Sequence, residues 1–202
     1  MKGAEKAIAT TMAIVAIAMA VYQLLYTQIL IQSPDGHVIT HLGFAFVVVF
    51  LSLMLKDKSR KRWPLIVVLL ILALTVTVYL MVELDPILEY RTSIPAPSDL
   101  IIGTLVILIL LVGNWLVFGK TFTIVSLIAV AYLILGRYLP APFTVPAISY
   151  QRLLMWMSVE LGSGKGVYGS ILDLSATYLF LFINFVEVSN SFIDDAVNGD
   201  NH

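Results

Sequence analysis

Lys56-Asp57-Lys58-Ser59-Arg60-Lys61-Arg62 is the most densely charged stretch of a chain that is otherwise apolar, and it stands between two long hydrophobic runs. Lys and Arg close to the ends of membrane-crossing helices stay in the cytoplasm, and the bias counts these cations rather than net charge. The five cations therefore orient their surroundings: the loop is expected inside, with the flanking runs crossing a bilayer. A nucleic-acid patch on a soluble domain does not fit, because the run after the loop stays apolar for about 20 residues.

Composition points the same way. Of the 202 residues, 59% are hydrophobic and 12% charged, whereas globular domains are about a quarter charged. So little polar side chain cannot cover a protein surface in water. The formal net charge of −1 names no partner. The chain contains no cysteine, which rules out disulfides, thiolate catalysis and Cys-ligated metal sites.

Toward the amino terminus, Lys2, Glu5 and Lys6 precede an apolar run, 7–31, broken only by Thr10, Thr11, Gln23, Thr27 and Gln28. A signal peptide has an apolar core of about 7–15 residues, so this run reads as a retained first span. Ser33-Pro34-Asp35-Gly36 reads as a turn, and 38–55 as a short second span. His37 and His41 are four apart and share a helix face, with Asp35 nearby. That spacing suits zinc, but no HExxH glutamate and no further ligand accompany it. The expectation is a helix start at the membrane interface, with solvated imidazoles and no metal.

Beyond the basic loop, Trp63–Val82 is the third span, with Trp63 at the interface and Pro64 in the first turn. Residues 83–99 read as a polar loop carrying Glu83, Asp85, Glu89, Arg91 and Asp99. Its prolines push 94–99 into extended backbone. Ser98 or Asp99 is expected to cap a fourth span, 100–118. Gly119-Lys120 makes a tight return to a fifth span, 121–138, and the proline-rich 139–146 forms no helix. Residues 149–161 look helical, but Gln151, Arg152, Ser158 and Glu160 do not fall on one face. An interfacial or packed helix anchored by Trp156 is expected there. Gly162-Ser163-Gly164-Lys165-Gly166 imitates a phosphate loop, yet Gly follows the Lys where Ser or Thr would bind magnesium. A flexible turn is expected instead.

The last span, 171–188, has Asp173 and Glu187 near its ends and Ser175, Thr177 and Asn184 inside. Polar and small residues suit a helix set against other helices, and the two carboxylates are expected to be structural. The tail, 190–202, is polar and acidic and is expected to fray. The fold class that results is all-α: a polytopic membrane protein with six transmembrane helices, one interfacial or packed helix and a cytoplasmic amino terminus. Lys2, Lys6, the loop cations and Lys120 then lie inside, eight of the twelve Lys and Arg residues. Arg91, Arg137, Arg152 and Lys165 lie outside.

The order of features resembles the amino-terminal part of the fused membrane permeases of TRAP transporters, of the TAXI type. The resemblance rests on His41-Leu42-Gly43-Phe44, on Tyr79, Arg91, Pro95 and Asp99-Leu100, and on Tyr132, Gly136 and Tyr138-Leu139-Pro140. It continues through Gly166-Val167-Tyr168-Gly169, Ser175-Ala176-Thr177-Tyr178-Leu179-Phe180-Leu181-Phe182 and Phe192-Ile193-Asp194. The chain departs from the pattern at Val112, Trp115, Leu116 and Val186. The resemblance implies that 1–118 correspond to a four-helix small-subunit-like domain. Residues 119–202 would be a connecting helix and the incomplete start of a large permease domain.

The resemblance also implies sodium-coupled import of organic acids or related solutes in the plasma (cell inner) membrane. Its implied partners are further large-permease helices and a periplasmic or extracellular solute-binding protein. Substrate-binding residues are expected beyond the end of this chain, with no catalytic, metal or cofactor site within it. The competing expectations are a stand-alone polytopic assembly protein without transport activity and an intramembrane enzyme built on His37 and His41. The enzyme lacks a nucleophile or third ligand.

Overall fold

Runs of Leu, Ile and Val that are apolar all round bury their backbone polar groups in their own helical ladder, the one open structure a lipid core tolerates. The computed structural model describes residues 2–29, 31–91, 94–146, 148–159, 166–183, 185–187 and 189–190, and contains no strand among them. The helices are α1 (Lys2–Ile29), α2 (Pro34–Lys56), α3 (Trp63–Val82), α4 (Leu84–Tyr90), α5 (Pro97–Phe118), α6 (Lys120–Leu135), α7 (Tyr150–Leu154) and α8 (Ser170–Leu174). A tight turn, Gly136–Tyr138, extends α6, and wide turns Met155–Val159 and Ser175–Leu179 extend α7 and α8. Among the described residues six helical segments are long and apolar enough to cross a membrane: Gly3–Ile29 of α1, α2, α3, α5, Lys120–Tyr138 and Ser170–Glu187. The chain is an all-α polytopic membrane protein.

Helix α2 is the centre, packing against both α1 and α3. It buries Val38, Ile39, Leu42, Phe46, Phe50 and Met54. Helix α3 answers with Ile66, Leu69, Ala73, Val76 and Leu80, a stripe of alternating three- and four-residue steps. Helix α5 closes the core with Ile102, Val106 and Ile109. The opposite face of α3, with Val67, Val68, Ile71, Leu74 and Val78, is exposed and as apolar as the core face, which suits lipid rather than water.

Three boundaries differ from the sequence expectation. Ser33-Pro34-Asp35-Gly36 is the start of α2, not a free turn: Ser33 Oγ accepts from the Gly36 N–H at 3.2 Å, and Pro34 fills the first helical position. The loop at 83–99 contains α4, which forms because Leu84 and Ile87, three apart, bury together. Helix α5 starts at Pro97 with Ala96 as its N-cap, so neither Ser98 nor Asp99 is the cap. Asp99 instead reaches back from the third position, its Oδ2 accepting from the Ala96 N–H at 2.8 Å. As expected for the segment that follows 146, the described residues 150–159 form a packed helix, with Leu153, Leu154, Met155 and Val159 buried and the turn Met155–Val159 lying against α5. Ser93, Glu160, Leu161, the glycine-rich stretch through Lys165, Asn184, Val188 and the tail from Ser191 lie outside the described residues.

The bundle has a basic and an acidic end. At the basic end Arg60 Nη2 pairs with Glu5 Oε1 at 3.1 Å, tying the start of α1 to the α2–α3 loop. Arg60 also lies over the Trp63 ring, whose Nε1 donates to the Met54 carbonyl at 3.0 Å. Asp57 braces this loop, accepting from the Ser59 hydroxyl at 2.7 Å and the Arg62 N–H at 2.9 Å. The Ser59 hydrogen bond, followed by that of Arg62, holds the Asp57 carboxyl below its ordinary range. Gly119 turns the chain from α5 into α6 at this end with φ +81°, a left-handed conformation that a side chain would strain. The acidic end carries the α1–α2 connection, α4, the start of α5 and Tyr168-Gly169 before α8.

Candidate functional site

Gln23, His37 and His41 are 0%, 1% and 5% exposed, yet all three lie within helices of the apolar bundle. Such groups are costly in a membrane interior unless each polar atom is matched. They face one another because the last turns of α1 present Tyr22, Gln23 and Tyr26 on one side, and the first turns of α2 present His37, Thr40 and His41. Tyr26 lies flat on His37, the ring centroids 3.6 Å apart and the planes within 4°. Sequence reasoning expected solvated imidazoles here; α1 covers them instead. Periodicity along α2 could not show this, because the cover comes from another helix.

The hydrogen bonds set the tautomers. Gln23 Nε2 lies 2.7 Å from His41 Nδ1. With the amide as donor, that nitrogen accepts and the His41 proton sits on Nε2. Gln32 Nε2 donates to the Tyr22 hydroxyl and, at 3.0 Å, to Thr40 Oγ1. Thr40 passes its own proton to the Gly36 carbonyl at 2.8 Å. Tyr22 in turn donates to His37 Nδ1 at 3.1 Å, so His37 also carries its proton on Nε2. Among the described residues Gln23 Oε1 is buried without a hydrogen-bond partner, whereas His37 has the Ala176 backbone of the last span beside it. An orphaned buried group costs about 1–3 kcal/mol, so Gln23 Oε1 marks unused acceptor capacity inside the bundle.

The last span borders this cluster. Phe180 meets His41 edge-on, with centroids 6.0 Å apart. Asp173 and Asp35 line a cavity of about 290 Å³ with Pro34, Tyr168 and Ser170 at the acidic end. Burial raises the Tyr168 phenol above its ordinary range. Asp173 Oδ1 accepts from the Thr177 hydroxyl at 3.3 Å, and Glu187 is exposed near the far end of the same span, away from the cluster. Among the described residues, no three of His, Cys, Asp and Glu stand close enough to hold a metal ion. Tyr22, Tyr26, Gln32 and Thr40 were missed by sequence reasoning; the signal was the polar and aromatic content of an otherwise apolar helix pair.

A second polar group joins α3, α4 and α5. Asp99, 1% exposed, accepts from Arg91 Nη1 at 3.1 Å and from the Tyr79 hydroxyl at 2.8 Å, both at Oδ1. Arg91 Nη2 also pairs with Glu83. This arrangement is structural: every charge in it is matched, and it lies where three elements meet. Compared with protein-family models, curated proteins and solved structures, the chain matches none.

Proposed function

We propose that this chain is a scaffold portion of a TRAP-type secondary transporter permease that works with further membrane helices. The observation that carries the reading is the state of the last span. Segment Ser170–Glu187 buries only Ala176 among its described residues, yet it carries Asp173, Ser175 and Thr177. A helix with that polar content is better matched by protein neighbours than by lipid tails. Helix α6 likewise buries none of its own residues. Helices α1, α2, α3 and α5 pack in succession, α1 on α2, α2 on α3 and α3 on α5, as a small scaffold subunit would, and α5 also meets α6 and the turn Met155–Val159. The spaced motifs from His41 to Phe182 support the transporter family, and with it sodium coupling, organic-acid import and a solute-binding protein partner.

Among the described residues the long spans are continuous helices and do not offer the interrupted half-spans that usually hold solute and ion near the membrane midplane. The chain alone should therefore not accumulate solute. Reconstitution in liposomes with an inward sodium gradient and labelled organic acids tests this, beside purification from mild detergent to recover membrane partners. The expected result is no uptake and a co-purifying polytopic protein. Saturable, sodium-dependent uptake by the chain alone would overturn the scaffold reading. Recovery of the chain free of any membrane partner would favour the stand-alone assembly protein.

A further inference from the structure

We propose that the basic end of the bundle holds a binding site for one anionic phospholipid, with its headgroup between the α2–α3 loop and the α5–α6 turn and an acyl chain along the α2–α5 seam. Three adjoining hollows carry this. The largest, about 690 Å³, lies between Arg62 and Leu65 on one side and Trp115, Phe118 and Lys120 on the other. A second, about 360 Å³, shares Arg62, Leu116 and Val117 with it and adds Lys56. The third, about 210 Å³, shares Val117 and Phe118 with the largest and runs between Phe46, Phe50, Ile109 and Gly113. Charged hollows thus open directly into an apolar groove.

The cations outnumber the carboxylate they share. Arg60 is engaged by Glu5 and Trp63, but Lys56, Arg62 and Lys120 make no side-chain ion pair among the described residues. Among the described residues the one carboxylate lining the hollows is Asp57, which accepts from Ser59 and from the Arg62 backbone and draws on the Arg62 charge. Three cations around one occupied carboxylate favour an anion. Basic pockets between transmembrane helices suit anionic headgroups, and each nearby Lys or Arg is worth about fivefold in affinity.

The groove decides which anion. A Cβ added at Gly113 meets nothing closer than Phe50 at 3.9 Å, so the missing side chain leaves open the space between α2 and α5. From Ile109 to Phe118 the groove follows α5 for about 13 Å, room for much of an acyl chain. Trp115, 52% exposed, lies at the mouth, where an indole suits the headgroup layer. A free phosphate or acidic peptide would use the cations and leave the groove idle.

The test is titration of the full chain in mild detergent with phosphatidylglycerol, phosphatidylcholine and sn-glycerol 3-phosphate, reading bound lipid by native mass spectrometry. Wild type should prefer phosphatidylglycerol by roughly tenfold or more, and glycerol phosphate should bind far more weakly. The double variant Arg62→Gln/Lys120→Gln should lose that preference. Lys58→Gln/Lys61→Gln, which removes equal charge outside the hollows, should keep it. Gly113→Leu should weaken phosphatidylglycerol while leaving glycerol phosphate unchanged, with helicity and elution volume checked for each variant. Equal losses in the two double variants would mean diffuse attraction to the surface and no site. Equal binding of glycerol phosphate and lipid, or an indifferent Gly113→Leu, would remove the acyl groove and overturn the proposal.

Discussion

Gly43 shows how one missing side chain sets a helix crossing. A Cβ at this position would lie 2.7 Å from Thr77 Cγ2 on α3. Thr77 has little freedom to yield, because it is β-branched and its hydroxyl donates to the Ala73 carbonyl at 2.9 Å. Gly43→Ala should therefore destabilise the α2–α3 contact by about 1–3 kcal/mol, the range for overpacking a close-packed interior. The addition of Thr77→Ala, which removes the obstructing methyl, should recover most of that loss. Unfolding in mixed micelles measures both. A Gly43→Ala protein as stable as wild type would show that the helices separate easily here. The same residue scale governs Gln23, whose unmatched Oε1 is a local property that no neighbouring residue in sequence announces.

Among the elements, the start of α5 depends most on a single carboxylate. Asp99 serves the Ala96 N–H within its own helix, Arg91 after α4 and Tyr79 on α3. With one proton to give, Tyr79 donates it to the carboxylate and accepts from Ser98, also 2.8 Å away. Asp99→Ala should cost about 3 kcal/mol, because removing one partner of a buried pair leaves the other charge poorly compensated. Asp99→Asn should fall between, keeping an acceptor and losing the charge. The double variant Asp99→Leu/Arg91→Leu should cost less than the two single losses added together. Strict additivity in that cycle would show that the two residues act independently.

For the molecule as a whole, the separation of basic and acidic ends gives a testable orientation. The α1 start, the α2–α3 loop and the α5–α6 turn gather at the basic end, which the cation bias assigns to the cytoplasm. The chain contains no cysteine, so single cysteines report cleanly. In intact cells an impermeant thiol reagent should label Glu89→Cys on α4 and leave Ser59→Cys unlabelled until the membrane is opened. The reverse pattern would invert the topology.

Segmentation was legible in the chain because hydropathy is a local quantity: twenty successive apolar residues such as Trp63–Val82 report a span whatever lies beside them. The basic loop and its neighbours could be read for the same reason. Helix ends were less legible. At Ser33-Pro34 and Ala96-Pro97 the same residues serve a turn or a helix start, and side chains reaching across the first turn decide between them. The burial of His37 and His41 was not legible at all. It depends on which face of α1 meets α2, and two apolar helices carry that choice in the packing of Tyr22, Gln23 and Tyr26 rather than in any pattern along either strand of sequence. The tertiary structure alone decided that a polar cluster sits inside the bundle and that the cations of two distant turns share one hollow. Contacts across helices are not encoded in the order of residues within one.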